Sequence, residues 1–298
     1  MSRIGEALNK AAQEKTARVN KTAFPAQVPA DTRDPIVKEG SGVADCVASI
    51  LDGSGIDSSV VTYHNPGSGI AEQYRSLRTN ILLNNLSKPL KTLAICSSLE
   101  GEGKTTTAVN LAITMTGDLE RSVLLVDCDL RAGTIHELLA VKSTAGLSDI
   151  LAKGVETESV LCQTGIPNLT VLPRGEIPRN PSELLSSRKM RSVLDELKSK
   201  FDYVILDSPP IMPLTDACVI SSQADGVIFI VQAHRTPRRV VKQAKNMLEH
   251  VHARLLGFIL TQAETKELTS RYGYYGYGKT PKNNSDILKQ TEEGLNEI

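Results

Sequence analysis

Thr92-Leu93-Ala94-Ile95-Cys96-Ser97-Ser98-Leu99-Glu100-Gly101-Glu102-Gly103-Lys104-Thr105-Thr106 decides how this chain is read. Thr92–Cys96 is a short, continuous apolar run, the pattern of a strand buried on both faces. From Thr105 to Met115 the spacing predicts a helix. Between them lies a turn that closes in Gly-Lys-Thr. A polyphosphate needs donors packed closely around it, and this order supplies them. Gly101 and Gly103 let backbone N–H groups approach, and the helix start adds its positive end. Lys104 can reach the terminal phosphate oxygens, and the Thr105 hydroxyl can ligate Mg²⁺. Ser98, Gly101, Glu102, Gly103, Lys104, Thr105 and Thr106 are therefore the candidate phosphate-binding residues. Ser98 stands where such a loop usually opens with glycine.

Working outward, further apolar runs follow at Val123–Val126, Leu169–Leu172, Tyr203–Leu206, Gly226–Val231 and Leu256–Leu260. Helical stretches lie between them, among them Pro181–Lys200 and Pro237–His252, each opened by proline near its first turn. This alternation predicts an α/β fold, a doubly wound and mostly parallel sheet with helices on both faces. Ligands in such folds bind beyond the carboxyl ends of the strands.

Two more runs end in the residues a metal–nucleotide site needs. The second closes in Asp127-Cys128-Asp129-Leu130-Arg131, and the fourth in Asp207-Ser208-Pro209-Pro210, with Asp216 shortly after. Asp127 and Asp129 point to the same side if strand geometry persists. Three strands ending in this way make a coherent site of three turns that would otherwise be ordinary Asx turns. Clustered carboxylates favour a cation between them, since two unit charges at ~4 Å interact by about 4 kcal/mol at an effective dielectric of roughly 20.

The chain has 298 residues, with 34 basic and 34 acidic side chains. Zero formal charge argues against a nucleic-acid coat or a polybasic anchor, and the lack of Trp against an aromatic base-stacking platform. Five scattered cysteines, Cys46, Cys96, Cys128, Cys162 and Cys218, suit a reducing compartment and form no zinc-knuckle spacing. No apolar run approaches a membrane span, so a cytoplasmic location is expected. Residues 1–60 read as a polar arm, either disordered throughout or with a short helix at its start, residues 61–265 as the nucleotide domain, and 266–298 as a polar tail. In that tail Tyr272, Tyr274, Tyr275 and Tyr277 place four of the seven tyrosines within six residues. Gly273, Gly276 and Gly278 between them favour a pliable segment.

Ser97–Thr106, Asp127–Arg131 and Ile205–Pro210 resemble the Walker A, A′ and B motifs of bacterial tyrosine kinases (BY-kinases). Glu72-Gln73-Tyr74-Arg75-Ser76-Leu77-Arg78 resembles that family's Glu-x-x-Arg-x-x-Arg assembly helix. Arg179–Leu185, Pro213–Ala217 and the tyrosine cluster also match family segments. The resemblance implies a P-loop NTPase-type protein-tyrosine autokinase that uses ATP and Mg²⁺. Lys104, Asp127, Asp129 and Asp207 would be its catalytic residues, with Asp127 as the base. Thr105, Asp129 and Asp207 would hold the metal, Arg131 would join the nucleotide site, and the four tail tyrosines would accept phosphate. Glu72, Arg75 and Arg78 would close a homo-oligomeric ring, an octamer in the family pattern; their i, i+3, i+6 spacing equally suits ion pairing on a solvated helix face. The implied partners are a separate membrane polysaccharide copolymerase as activator, at the inner face of the membrane, and a tyrosine phosphatase. No nucleic acid is expected, and the implied role is control of exopolysaccharide synthesis or export.

The chain departs from the family in two places: Ala132-Gly133-Thr134 follow Arg131 without the usual proline, and Thr261-Gln262 stand where Asn often reads adenine. Two other readings compete. One is a partition or positioning ATPase that binds DNA or membrane; that group carries a second lysine early in the loop, where this chain has Leu99. The other is a nucleotide-bound scaffold without transfer activity. Arg235, Arg238 and Arg239, crowded at a helix start, fit nucleotide contact, acidic lipid or plain solvation. His250 and His252 fit the far end of that helix.

Overall fold

The computed structural model describes residues 55–85, 89–117 and 121–263. In chain order the elements begin with α1 (Val61–His64), α2 (Gly69–Asn85), β1 (Thr92–Ser97), α3 (Lys104–Thr116), β2 (Val123–Asp127), α4 (Ile135–Leu138), α5 (Leu147–Lys153) and α6 (Thr157–Val160). They continue through β3 (Cys162–Gln163), β4 (Leu169–Leu172), α7 (Pro181–Ser186), α8 (Arg188–Lys200), β5 (Tyr203–Asp207), α9 (Asp216–Gln223), β6 (Gly226–Gln232), α10 (Arg238–His250) and β7 (Leu255–Thr261). The seven strands form one sheet in the order β3-β4-β2-β5-β1-β6-β7. Every pairing is parallel except β3 with β4. From β1 the chain builds outward to β4, returns to insert β5 between β2 and β1, then builds β6 and β7 on the other side. The β1 tip thus lies where the winding changes direction, the place such sheets hold ligands.

The strand side chains alternate between two cores, one on each face. Ala94, Cys96, Leu124, Val126, Val204 and Leu206 pack with Met190, Leu194 and Leu197 of α8 and Ala244 and Leu248 of α10. Leu93, Ile95, Val123, Leu125, Tyr203 and Ile205 pack with Val109, Leu111 and Met115 of α3. Ile56 and Val60, ahead of α1, join this second core. The five strands β1, β2, β4, β5 and β6 are apolar on both faces because helices cover both.

Three local outcomes differ from the sequence expectation. The helix expected over Pro181–Lys200 is two helices, broken at Ser187, whose ψ of 158° is extended. Its hydroxyl donates to Leu184 O at 2.7 Å and accepts from Met190 N at 3.1 Å, ending one helix while capping the next. β7, expected to be covered on both faces, is an edge strand with Phe258 48% and Leu260 64% exposed. The two-residue β3 was not foreseen. No helix among the described residues is long and apolar enough to cross a membrane.

Candidate active site

The turn between β1 and α3 is shaped by two glycines in the left-handed region, Gly101 at φ 77° and Gly103 at φ 89°. Both also admit a close neighbour: a Cβ on Gly101 would stand 2.9 Å from Arg235 Nη1, and one on Gly103 3.5 Å from Thr261 Cγ2. Here the glycines combine an uncommon backbone with close approach. Lys104 opens α3, and its Nζ lies 3.8 Å from Asp129 Oδ2. Ser98 Oγ is buried without a hydrogen-bond partner. The Glu102 side chain turns inward: its carboxylate accepts from Leu99 N at 2.5 Å, from Gln232 N at 3.4 Å and from the Thr236 hydroxyl.

β2 and β5 pair in a register that sets Asp127 beside Asp207, both fully buried. The strand stops at Asp127, so strict alternation does not carry on to Asp129. An Asx turn brings Asp129 to the same tip instead, with Oδ1 accepting from Ala132 N at 3.0 Å and Arg131 N at 3.3 Å and Oδ2 left facing Lys104. Asp127 accepts only long bonds, from Asp129 N and Ile135 N, each at 3.3 Å. Gly133 leans on it so closely that a Cβ would lie 2.1 Å from Asp127 Oδ1.

Burial pushes the Asp127 carboxyl well above the usual range, and the negative charges of Asp207 and Asp129 add to this. Asp207 is pushed up to about 6 by burial, against the pull of the Lys104 charge and the nearby Thr105 hydroxyl. The Thr105 hydroxyl falls short of hydrogen-bonding geometry, so both Asp207 oxygens are buried without a partner. Two buried, partnerless carboxylate oxygens beside a lysine and a helix-start threonine form a donor set suited to a hard divalent cation. Among the described residues no group of three or more His, Cys, Asp or Glu could hold a metal alone, so any cation here would draw on a hydroxyl, water or phosphate as well.

Arg131 is drawn into a polar cluster at the rim. Its Nε lies 2.9 Å from Asp216 Oδ2 and its Nη2 3.3 Å from Ser182 Oγ, while the Ser182 hydroxyl also donates to Asp216 Oδ1. Segments 179–185 and 213–217, remote from Arg131 in sequence, meet it here. Gln232, Arg235 and Thr236 hold the phosphate turn from the β6 side, and no pattern in the sequence ties them to that turn; Arg235 stands out there only as part of a basic cluster.

The assembly motif lies elsewhere, on α2. Arg75 pairs with Glu72 of its own helix, with Nε at 2.7 Å, and donates to Pro66 O, while Arg78 donates to Thr114 O near the end of α3 at 3.1 Å. His250 Nδ1 lies 2.6 Å from Asn246 O in the last turn of α10, and His252 follows the helix at φ 55°. The tail tyrosines, and the arm up to residue 54, lie outside the described residues.

A family model described as an AAA domain matches residues 90–259. The tyrosine-protein kinase YwqD of Bacillus subtilis (strain 168) is 37% identical over 224 residues, 75% of this chain and 94% of that relative. The chain belongs to the bacterial tyrosine kinase family. The tyrosine-protein kinase CpsD of Streptococcus agalactiae is 36% identical over 70% of this chain and 90% of its own. Among solved structures, the chimerical protein CapA2B2 superposes with a TM-score of 0.65 at 33% identity, covering 68% of this chain and 89% of that one. The kinase domain of Escherichia coli tyrosine kinase ETK does so with a TM-score of 0.65 at 28% identity, covering 74% and 84%. The fold is that of ATP-binding P-loop NTPases and the activity that of a protein-tyrosine kinase. The cell-division ATPase MinD of Pyrococcus furiosus is more distant, with a TM-score of 0.50 at 27% identity over 67% of this chain and 79% of its own.

Proposed function

We propose that this kinase moves the γ-phosphoryl group of ATP onto Tyr272, Tyr274, Tyr275 and Tyr277 of its own chain, between subunits of a ring, and so regulates exopolysaccharide synthesis or export. The observation that carries the reading is the partnerless, buried carboxylate of Asp207 beside Asp127, with Lys104 and Asp129 at the same tip.

Phosphoryl transfer asks mainly for positioning and charge neutralisation. The turn from Gly101 to Thr106 cradles the phosphates with backbone N–H groups, Glu102 contributing its backbone alone since its carboxylate is engaged elsewhere. Lys104 neutralises the β/γ oxygens. Thr105, Asp207 and Asp129 would hold Mg²⁺, directly or through water. Bound there, Mg²⁺ would supply positive charge that offsets that of the phosphates. Asp127 takes the phenolic proton as the tyrosine oxygen attacks, in a geometry kept by Gly133. Arg131, anchored on Asp216, joins the nucleotide contacts.

Glu72, Arg75 and Arg78 form the ring contact, exchanging the intrahelical Glu72–Arg75 pair for partners on a neighbouring subunit. A separate membrane copolymerase activates the enzyme and recruits it to the inner face of the membrane, and a phosphatase resets the tail. The chimera CapA2B2 and the tyrosine-protein kinase wzc of Salmonella typhimurium, 33% identical over 221 residues, support this setting. In wzc the matched part is 31% of the length.

The test is an anti-phosphotyrosine assay on the full chain with Mg-ATP. Wild type gains signal, while Lys104→Met and a variant with all four tail tyrosines changed to Phe do not. Signal that survives in the four-Phe variant would move the acceptors elsewhere, and ATP turnover with no phosphotyrosine would favour the switch-type ATPase.

A further inference from the structure

We infer that Glu102 is a positioning residue for nucleotide binding: its carboxylate locks the phosphate turn to the end of β6 and the β6–α10 connection, so that the turn's N–H groups are preset for the triphosphate. This rests on the proposal that the turn from Gly101 to Thr106 holds ATP. A glutamate midway along a phosphate loop would be expected to stay in water or to repel the ligand. Here it is 1% exposed. Its oxygens take the Leu99 N–H from the start of the same turn, the Gln232 N–H at the end of β6 and the Thr236 hydroxyl in the β6–α10 connection. The carbonyl of the same residue accepts from the Thr261 hydroxyl, at the end of β7, at 2.7 Å. One residue thus joins three strand tips.

The chemistry favours a carboxylate in this place. It offers two acceptor oxygens to three donors, and it lies just ahead of the start of α10, where negative charge is favoured. A second tie runs parallel to it. Arg235 Nη1 donates to Gly101 O at 3.3 Å and to Gln232 Oε1 at 2.8 Å, placing a cation over the same turn. With the carboxylate tied back, the loop turns backbone donors and Lys104 toward the ligand and keeps its own negative charge away from phosphate. Without it, Leu99 N and Gln232 N lose their acceptor, and the left-handed residues Gly101 and Gly103 are free to relax. The binding energy would then be spent on ordering the loop.

The experiment measures the affinity of the full chain for a fluorescent ADP analogue with Mg²⁺, alongside the ATP dependence of phosphotyrosine formation. The variants are Glu102→Ala, Glu102→Gln, Thr236→Val and the double variant Glu102→Ala/Thr236→Val. Glu102→Ala is expected to weaken nucleotide binding by about tenfold or more, roughly 1.4 kcal/mol. Its KM for ATP should rise by more than its kcat falls. Glu102→Gln keeps an acceptor and should recover most of the affinity, and Thr236→Val should give a smaller loss that does not add to that of Glu102→Ala. Thermal unfolding in the absence of nucleotide serves as the check on folding, and Thr236→Val keeps the test open if Glu102→Ala fails to fold. Wild-type affinity in both Glu102→Ala and Thr236→Val, or losses that track melting temperature alone, would overturn the inference. Failure of the wild type to bind the analogue would instead overturn the nucleotide site itself.

Discussion

Asp127 and Asp207 face each other as register partners at the ends of adjacent parallel strands, both fully buried, with no cationic side chain hydrogen-bonded to either. Two like charges at such a place are unfavourable unless a proton or a cation intervenes. The fold therefore carries a local instability that a bound metal–nucleotide would relieve, as active sites commonly do.

That relationship predicts a pH-dependent stability effect. The unfolded chain ionises Asp207 near pH 4, whereas burial holds the folded carboxyl up to about 6. The folded state binds the extra proton in that window, so stability falls as pH rises through it, and the full penalty is present above. Asp207→Asn should be more stable than wild type at pH 8 without nucleotide, by on the order of 2–3 kcal/mol, and close to wild type at pH 4. Thermal unfolding at the two pH values checks this; equal melting temperatures at pH 8 would contradict it.

Gly133→Ala should disable transfer. Its Cβ would lie 2.1 Å from Asp127 Oδ1, so the carboxylate or its loop must move. A shift of about 1 Å in a reacting group can cost roughly 10²-fold in rate. Gly257→Ala, whose Cβ would meet nothing within 4 Å, is the control and should keep wild-type phosphotyrosine formation.

Arg131→Ala leaves the Asp216 carboxylate, 1% exposed, without its charge partner. Breaking a buried pair costs about 3–5 kcal/mol, but the Arg131 side chain is 39% exposed, so about 1–3 kcal/mol is expected. Asp216→Asn in the same chain should recover part of the loss by removing the orphaned charge. Urea midpoints of the single and double variants measure it, and strict additivity would deny the coupling.

On α2, Glu72→Ala should cost under about 1 kcal/mol of protomer stability, since the Glu72–Arg75 pair is exposed. Light scattering should nevertheless show ring-sized particles for wild type and none for Glu72→Ala/Arg75→Ala/Arg78→Ala. Identical particle sizes would leave the motif as ion pairing and helix capping alone.

Much of the architecture could be read in the chain because buried parallel strands write themselves as unbroken apolar runs: Leu169–Leu172 matches its strand end to end, and the neighbouring runs gain only a residue or two. The break at Ser187 was hidden because both flanking helices are helical in pattern, and a capping serine inside such a pattern looks like a surface residue. Leu256–Leu260 is as apolar as the central runs, so composition could not tell an edge strand from a covered one. Asp127, Asp129, Asp207 and Lys104 were legible because each closes or follows a strand. The inward turn of Glu102 was not, since loop side chains follow no period and its partners lie about 130 to 160 positions away. The Arg131–Asp216–Ser182 cluster was hidden for the same reason: it assembles across three connections.

The most direct measurement of the central claim is the intact mass of the purified full chain after incubation with Mg-ATP, with and without EDTA, followed by peptide mapping. The account predicts successive additions of phosphate confined to the peptide bearing Tyr272, Tyr274, Tyr275 and Tyr277, abolished by EDTA and by Lys104→Met. An unchanged mass in a preparation that binds nucleotide and is supplied with its activator would contradict it.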